Sequence, residues 1–302
     1  MNNNKRNIAG HKKSILMTKR DLKLFLNLAT YGLLSTSQIA VKLFPGVQSS
    51  TVLRRIRRLE SGGWIYRIRS LDTGELVWLL TRKGEYVLKD EVNLVPMIRP
   101  NRSSVDHDVK LAALRLRLEA IGLGENFVTE WSLKRQTFRH DRSNKENPVI
   151  PDGIFSATVW NGKSATVALE LELHAKTTQR YAKIFSKYRE RDGLSIVWYF
   201  VKTEAFAQSL ISKWNESSTR TSYTAKHPAQ LIVTVLPEFE SESKRARVFF
   251  ENGKNSSIED IFKLPLDIKF KTKAQNPQNN AAQAVGMETD DEFEDEELEN
   301  AS

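Results

Sequence analysis

Residues 167–173 read VALELEL, an alternation with a period of two. Successive side chains of an extended chain point to opposite faces. Val167, Leu169, Leu171 and Leu173 therefore share one face. Glu170, Glu172 and His174 share the other, and Lys176 joins them if the extended chain runs on. The preceding segment PDGIFSATVW alternates as well, with Phe155, Ala157 and Val159 on one side and Asp152, Ile154, Ser156 and Thr158 on the other. The link NGKS between them marks a hairpin. A two-residue turn at Asn161-Gly162 would pair Trp160 with Lys163 and mix polar with apolar on both faces. A three-residue loop, Asn161-Gly162-Lys163, pairs Trp160 with Ser164, Phe155 with Leu169, Ala157 with Val167 and Asp152 with Glu172. Apolar burial favours this second register, with a bulge at Gly162.

That pairing gathers Asp152, Glu172 and, diagonally, Glu170. Carboxylates so close raise one another's pKa unless a cation intervenes. Oxygen donors of this kind suit Mg2+ or Mn2+, and a bound divalent ion activates water and polarises phosphate. Lys176 adds positive charge suited to a phosphoryl transition state. The alternative is an amphipathic strand whose glutamates face water.

The N-terminal third follows a different pattern. RDLKLFLNLATYGLL sets Leu22, Phe25, Leu26 and Ala29 on one helical face. Ser35 is placed to cap a second helix. SSTVLRRIRRLESGG forms a third, burying Val52, Leu53, Ile56 and Leu59 and stopped by Gly62 and Gly63. WIYRIRS, LDTGE and LVWLLT then read as a β-hairpin. Three helices and a hairpin are the order of a winged helix-turn-helix, whose third helix enters the major groove. Ser50, Thr51, Arg54, Arg55 and Arg58 occupy that helix's outer side, suited to phosphates and guanine edges. A solvated basic helix, or a winged helix used for protein contacts, is the alternative.

The expected layout is a basic arm over 1–17, a winged helix over 18–90, a linker over 91–104, an α-β-β-β-α-β domain over 105–272 and a disordered acidic tail over 273–302. The fold class is mixed, α+β with α/β. The net charge is +9 although residues 288–299 hold nine carboxylates and no lysine or arginine, so the remainder is twice as basic as the whole. A polyanionic partner, DNA, follows. Arg180, Lys183 and Lys187 flank a helical stripe of Tyr181, Ile184, Phe185 and Tyr188, which reads as packing. The basic residues beside it are candidate backbone contacts. There are no cysteines, which excludes disulfides and cysteine-based zinc sites. No apolar run is long enough to cross a bilayer and no secretory signal opens the chain, so a cytoplasmic protein without membrane insertion is expected. The five histidines are scattered, and no GxxxxGK[ST] phosphate loop is present.

PDG on one strand, ELELHAK on the next and TTQRY opening the following helix resemble the PD-(D/E)xK active site of restriction-endonuclease-like domains. The last signature position, ordinarily lysine, is Glu172, and Lys176 four residues on takes the lysine's part. With the winged helix, the pair His107-Asp108 at a helix start and the later KI and KY, the layout over residues 18–235 resembles the replication-relaxation family, which includes the MOBC-class plasmid mobilisation relaxases. The resemblance implies a metal-dependent, strand-specific nick at a plasmid transfer origin by Asp152, Glu170, Glu172 and Lys176, with Mg2+ or Mn2+. Its implied partners are the origin DNA, an accessory mobilisation protein and a type IV secretion coupling protein. The acidic tail fits either a DNA mimic covering the basic surface or an export signal. The rival expectation is a non-catalytic winged-helix regulator of plasmid replication or copy number.

Overall fold

A computed structural model describes residues 16–88, 104–134, 149–218 and 228–264 of the chain. The expected linker up to residue 103, the acidic tail, residues 1–15 of the arm and the polar loop near residue 140 lie outside the described residues.

The N-terminal unit contains α1 (Lys19–Tyr31), β1 (Leu34–Ser35), α2 (Thr36–Leu43), α3 (Ser49–Ser61), β2 (Ile65–Arg69), β3 (Leu76–Leu80) and α4 (Arg82–Val87). The expected hairpin forms between β2 and β3, and β1 adds a third strand on the far side of β3. Ser35 caps α2 by accepting the Gln38 N–H, as its position predicts. In α3, Val52, Ile56 and Leu59 are buried and Leu53 packs against the same cluster.

The face of α1 is rotated from the expected one. Asp21, Leu24, Phe25 and Leu28 are buried, whereas Leu22, Leu26 and Ala29 are only half-buried. The reason is Asp21. Its carboxylate completes a capping box with Thr18 and takes the Arg55 guanidinium, with the Nε contact at 3.0 Å. An acid on the inner face is invisible to hydrophobic periodicity. It also corrects the reading of Arg55, which turns inward to Asp21 and the Leu16 carbonyl rather than outward to DNA.

The second part comprises α5 (Val105–Ala120), β4 (Glu125–Thr129), α6 (described over 130–134), β5 (Gly153–Thr158), β6 (Ser164–Glu172), α7 (Thr178–Arg189), β7 (Ile196–Val201), α8 (Glu204–Ser218), β8 (Gln230–Val235), α9 (Leu236–Ser241), β9 (Arg247–Phe250), β10 (Asn255–Ser257) and α10 (Ile258–Ile261). Its mixed sheet runs β10-β9-β8-β7-β6-β5-β4, with only the β6-β7-β8 centre parallel. Every residue of β7 is buried, as an apolar run flanked by parallel partners requires. Helices α7 and α8 cross over on one face, around Tyr181, Phe185, Tyr188 and Trp214. The other face packs on α5 and α9. Strand β4 ends at Thr129. The Thr129 hydroxyl accepts the Ser132 N–H at the first turn of α6.

The β5–β6 register differs from expectation by two residues. Phe155 pairs with Val167, Ala157 with Ala165 and Gly153 with Leu169. The loop is Trp160-Asn161-Gly162, closed by the Val159 N–H to the Lys163 carbonyl at 2.9 Å, with Gly162 at φ 80° beside the strand. A left-handed glycine belongs at the end of a three-residue loop, and the Trp160 N–H goes to the Ile261 carbonyl. A shift of two preserves the faces. Asp152 consequently stands one step beyond the Gly153–Leu169 pair, across from Glu170 rather than Glu172.

Arg55→Ala is expected to destabilise the fold by about 2–3 kcal/mol, because Asp21 is left buried without its cation. Arg54→Ala, on the exposed side, is expected to stay within about 0.5 kcal/mol. Urea unfolding of the two variants checks this.

Candidate active site

The site grows from the point where β5 starts. In the β5–β6 ladder, the pairs that exchange hydrogen bonds alternate with pairs that do not. Val159–Lys163 is of the first kind, so the series continues through Gly153–Leu169 and would set Pro151 opposite Leu171. Proline has no N–H to give, so the ladder cannot continue there. The N–H and C=O of Leu171 are met by side chains instead. Asp152 Oδ2 accepts the Leu171 N–H at 2.7 Å, and His107 Nε2 lies 3.1 Å from the Leu171 carbonyl.

His107 sits in the first turn of α5. Its Nε2 is also 3.6 Å from Asp152 Oδ2, and its Nδ1 is 3.3 Å from Asp108 Oδ1. Burial alone would lower its pKa. Hydrogen bonds to Asp108 and Asp152, the Asp152 charge and the Leu171 carbonyl outweigh burial and raise it to about 11. Protonated, the ring donates from both nitrogens, to Asp108 and to the Leu171 carbonyl. The sequence offered His107 only as a helix-start residue, because nothing in its spacing reveals that α5 begins against β6. Asp106, next to it, accepts from Ser70 Oγ at 2.6 Å and from the backbone N–H groups of Leu71 and Asp72. The β2–β3 turn is thereby tied to the same helical turn that holds Asp152. Asp72 also takes the Lys110 ammonium of the same helix, at 2.5 Å.

Glu170 and Glu172 point to the face covered by α7. The carboxyl end of Glu170 lies against the Tyr188 hydroxyl. Loss of water, followed by the Asp152 charge, pushes its pKa well above the usual carboxylate range, and Glu172 adds to the rise. The Tyr188 hydrogen bond and the Lys176 charge oppose it. Glu172 is 5 % exposed and pairs with the Lys176 ammonium. The Lys176 N–H donates to the Tyr181 hydroxyl at 3.1 Å. Burial, with the neighbouring glutamates, lifts the Tyr181 phenol to about 12 and raises Tyr188 and Tyr199 well above the usual phenol range. Tyr181 and Tyr188 pack as their helical stripe suggests, and they also reach the carboxylates.

Asp152, Glu170, Glu172 and Lys176 thus share one electrostatic neighbourhood. Among the described residues, no three acidic or histidine side chains close on a point able to hold a metal. Each carboxylate is turned to a protein partner. Ser50, Thr51, Arg54 and Arg58 are exposed on α3, Arg180 and Lys183 are exposed on α7, and Lys187 is half-buried there. Of the residues expected to bind DNA, Arg55 is drawn into the fold by Asp21. No helix among the described residues is long and apolar enough to cross a membrane.

A model of the replication-relaxation family matches residues 26–193, more than half of the chain. The chain belongs to the replication-relaxation family. The matched span holds α3, the β2–β3 hairpin, the first turn of α5 and all four residues of the acidic centre. No curated protein and no solved structure matches.

Two titrations follow. His107 has a folded pKa above its unfolded value, so its stabilising contribution is complete below about pH 6.5 and is lost as pH rises toward about 11. NMR of the ring is expected to show imidazolium still present at pH 8.5, and a midpoint near the free value would refute the contacts of His107 with Asp108 and Asp152. Glu170→Gln keeps a partner for Tyr188 and removes the buried charge. In denaturation series it is expected to be more stable than the parent, by a margin that grows with pH.

Proposed function

We propose that this family member is a plasmid mobilisation relaxase, a metal-dependent endonuclease that nicks one DNA strand at a transfer origin. In this reading the N-terminal unit is a winged helix-turn-helix and the α-β-β-β-α-β part is restriction-endonuclease-like. The observation that carries it is Asp152 set across from Glu170 at the C-terminal end of a parallel strand, with Lys176 folded back onto the same face. The strand ends of open α/β sheets are where ligands bind. Membership of the replication-relaxation family supports a role in plasmid DNA processing.

The donor chemistry fits Mg2+ or Mn2+. All three acids offer hard oxygens, and Glu170 carries a like-charge cost from Asp152 that a cation would remove. Asp152 and Glu170 would hold the ion, with Glu172 available once Lys176 moves to phosphate. Bound there, the ion would polarise a phosphate oxygen and acidify a water. The chain's own groups do the rest. His107 keeps Asp152 fixed on the Leu171 backbone. Lys176 supplies charge to the phosphate under attack. The α3 N-terminus has no side-chain cap, so its free N–H groups, with Ser50, Thr51, Arg54 and Arg58, suit DNA phosphates. Arg180, Lys183 and Lys187 extend the basic track along α7. An accessory mobilisation protein and a type IV coupling protein are the partners this role entails.

One observation favours a second reading. Every carboxylate already has a protein partner and none converges with two others. That arrangement also suits a non-catalytic DNA-binding regulator of plasmid replication or copy number.

Supercoiled plasmid carrying the cognate origin separates the two. Open circles that require Mg2+ or Mn2+, vanish with EDTA and fall at least about 100-fold in Glu170→Ala support the nuclease. Intact plasmid with tight, salt-sensitive binding supports the regulator. A free 5′ phosphate and 3′ hydroxyl at the nick would identify water as the nucleophile.

A further inference from the structure

Lys176 is a cation that the acidic centre supplies to itself. Its ammonium pairs with Glu172, which is buried. The backbone around it is anchored. The Lys176 N–H donates to the Tyr181 hydroxyl at 3.1 Å, and Thr177, the next residue, caps α7 by accepting the Arg180 N–H. The side chain has more room, being 27 % exposed against 7 % for its partner. Its ammonium also lies 5.9 Å from the Tyr181 ring centre. Lys213 of α8 lies 5.5 Å from the same ring, so that attraction is shared and Glu172 is the main tether.

A second cation cannot simply be added to the first. A divalent ion beside Asp152 and Glu170 would face the ammonium at close range, where like charges oppose one another. Glu172 stripped of every cation would be a buried charge left uncompensated, which is strongly disfavoured. An exchange avoids both states, the ammonium leaving as the ion arrives. The leaving ammonium needs an anion in turn. Helix α7 begins just after Lys176, and Arg180 and Lys183 are exposed on it. A DNA phosphate drawn to that basic row would lie close to the Lys176 side chain.

We propose that Lys176 is an exchangeable plug, its ammonium holding Glu172 until a DNA phosphate draws it away and a divalent ion takes its place. The proposal rests on the nuclease reading, in which Asp152 and Glu170 hold that ion. It makes the two ligands of the centre depend on each other. DNA tightens the ion by removing its competitor, and the ion tightens DNA by the same factor, since coupling between sites is reciprocal. The centre thus fills where a strand is already in place. A lysine that stayed on Glu172 throughout would give no such dependence.

Mn2+ binding to the full chain, followed by loss of the free ion's electron paramagnetic resonance signal, tests this. It is measured with and without a short mixed-sequence duplex, the ion taken up by the duplex alone being subtracted. Without DNA, Lys176→Met is expected to bind Mn2+ about tenfold more tightly than the parent. Lys176→Arg, whose fork grips a carboxylate through two N–H groups, is expected to bind it less tightly. The duplex is expected to tighten Mn2+ about tenfold in the parent and to have little effect in Lys176→Met. Should the Met variant fail to fold, the parent's response to DNA and the Arg variant decide. Saturable binding that Lys176→Met leaves unchanged or weakens overturns the plug and leaves the cation site standing. So does a response to DNA that is absent in the parent or equal in both chains. No saturable Mn2+ binding in any of the three chains removes the cation site itself, and the plug with it.

Discussion

A missing N–H organises the centre of this molecule. Pro151 falls where the β5–β6 ladder would next need a donor, so the ladder stops and the Leu171 backbone is left facing side chains. Asp152 and His107 fill the two openings. His107 brings α5 with it, and the residue before it, Asp106, brings the β2–β3 turn. One local prohibition thereby joins the N-terminal helices to the end of the parallel sheet. A buried amide or carbonyl left unpaired costs about 1–3 kcal/mol, so these contacts are enforced by the backbone whatever else they do.

On the opposite side of β6, electrostatics works against stability. Glu170 is held among Asp152, Glu172 and Tyr188, where its ionised form is disfavoured. Lys176 offsets part of that cost from its place beside Glu172. Arrangements that raise a carboxyl pKa through burial and a like charge are over-represented at functional sites. Natural proteins tolerate such a cost where function needs it. The contrast with Arg55 and Asp21 is instructive. That pair is also partly buried, but both charges are matched and it anchors α1 to α3.

Much of this was legible in the sequence. The alternation of Val167 to Glu172 fixed which side chains share a face, because parity survives a shift of two. It did not fix the partner of Asp152, which depended on where a left-handed Gly162 prefers to sit in its loop. Ser35 was readable as a cap because capping is local. Asp21 was not readable as a buried residue, since its reason for burial is Arg55, thirty-four positions away. Ser50, Thr51, Arg54 and Arg58 emerged on the exposed side because Val52, Ile56 and Leu59 define the inner one. His107, Tyr181 and Tyr188 reach the carboxylates through tertiary contacts that no spacing encodes.

In the proposed nuclease, Asp152 and Glu170 form a cation site in which burial and the Asp152 charge disfavour the ionised form of Glu170. Calorimetric titration of the full chain with Mn2+ at pH 6, in buffers of different ionisation enthalpy, measures both binding and the protons exchanged. Saturable binding with proton release that diminishes as pH rises is expected, with loss of both in Glu170→Gln. Saturable binding without proton release, or binding unchanged in that variant, would contradict it, as would no binding at all.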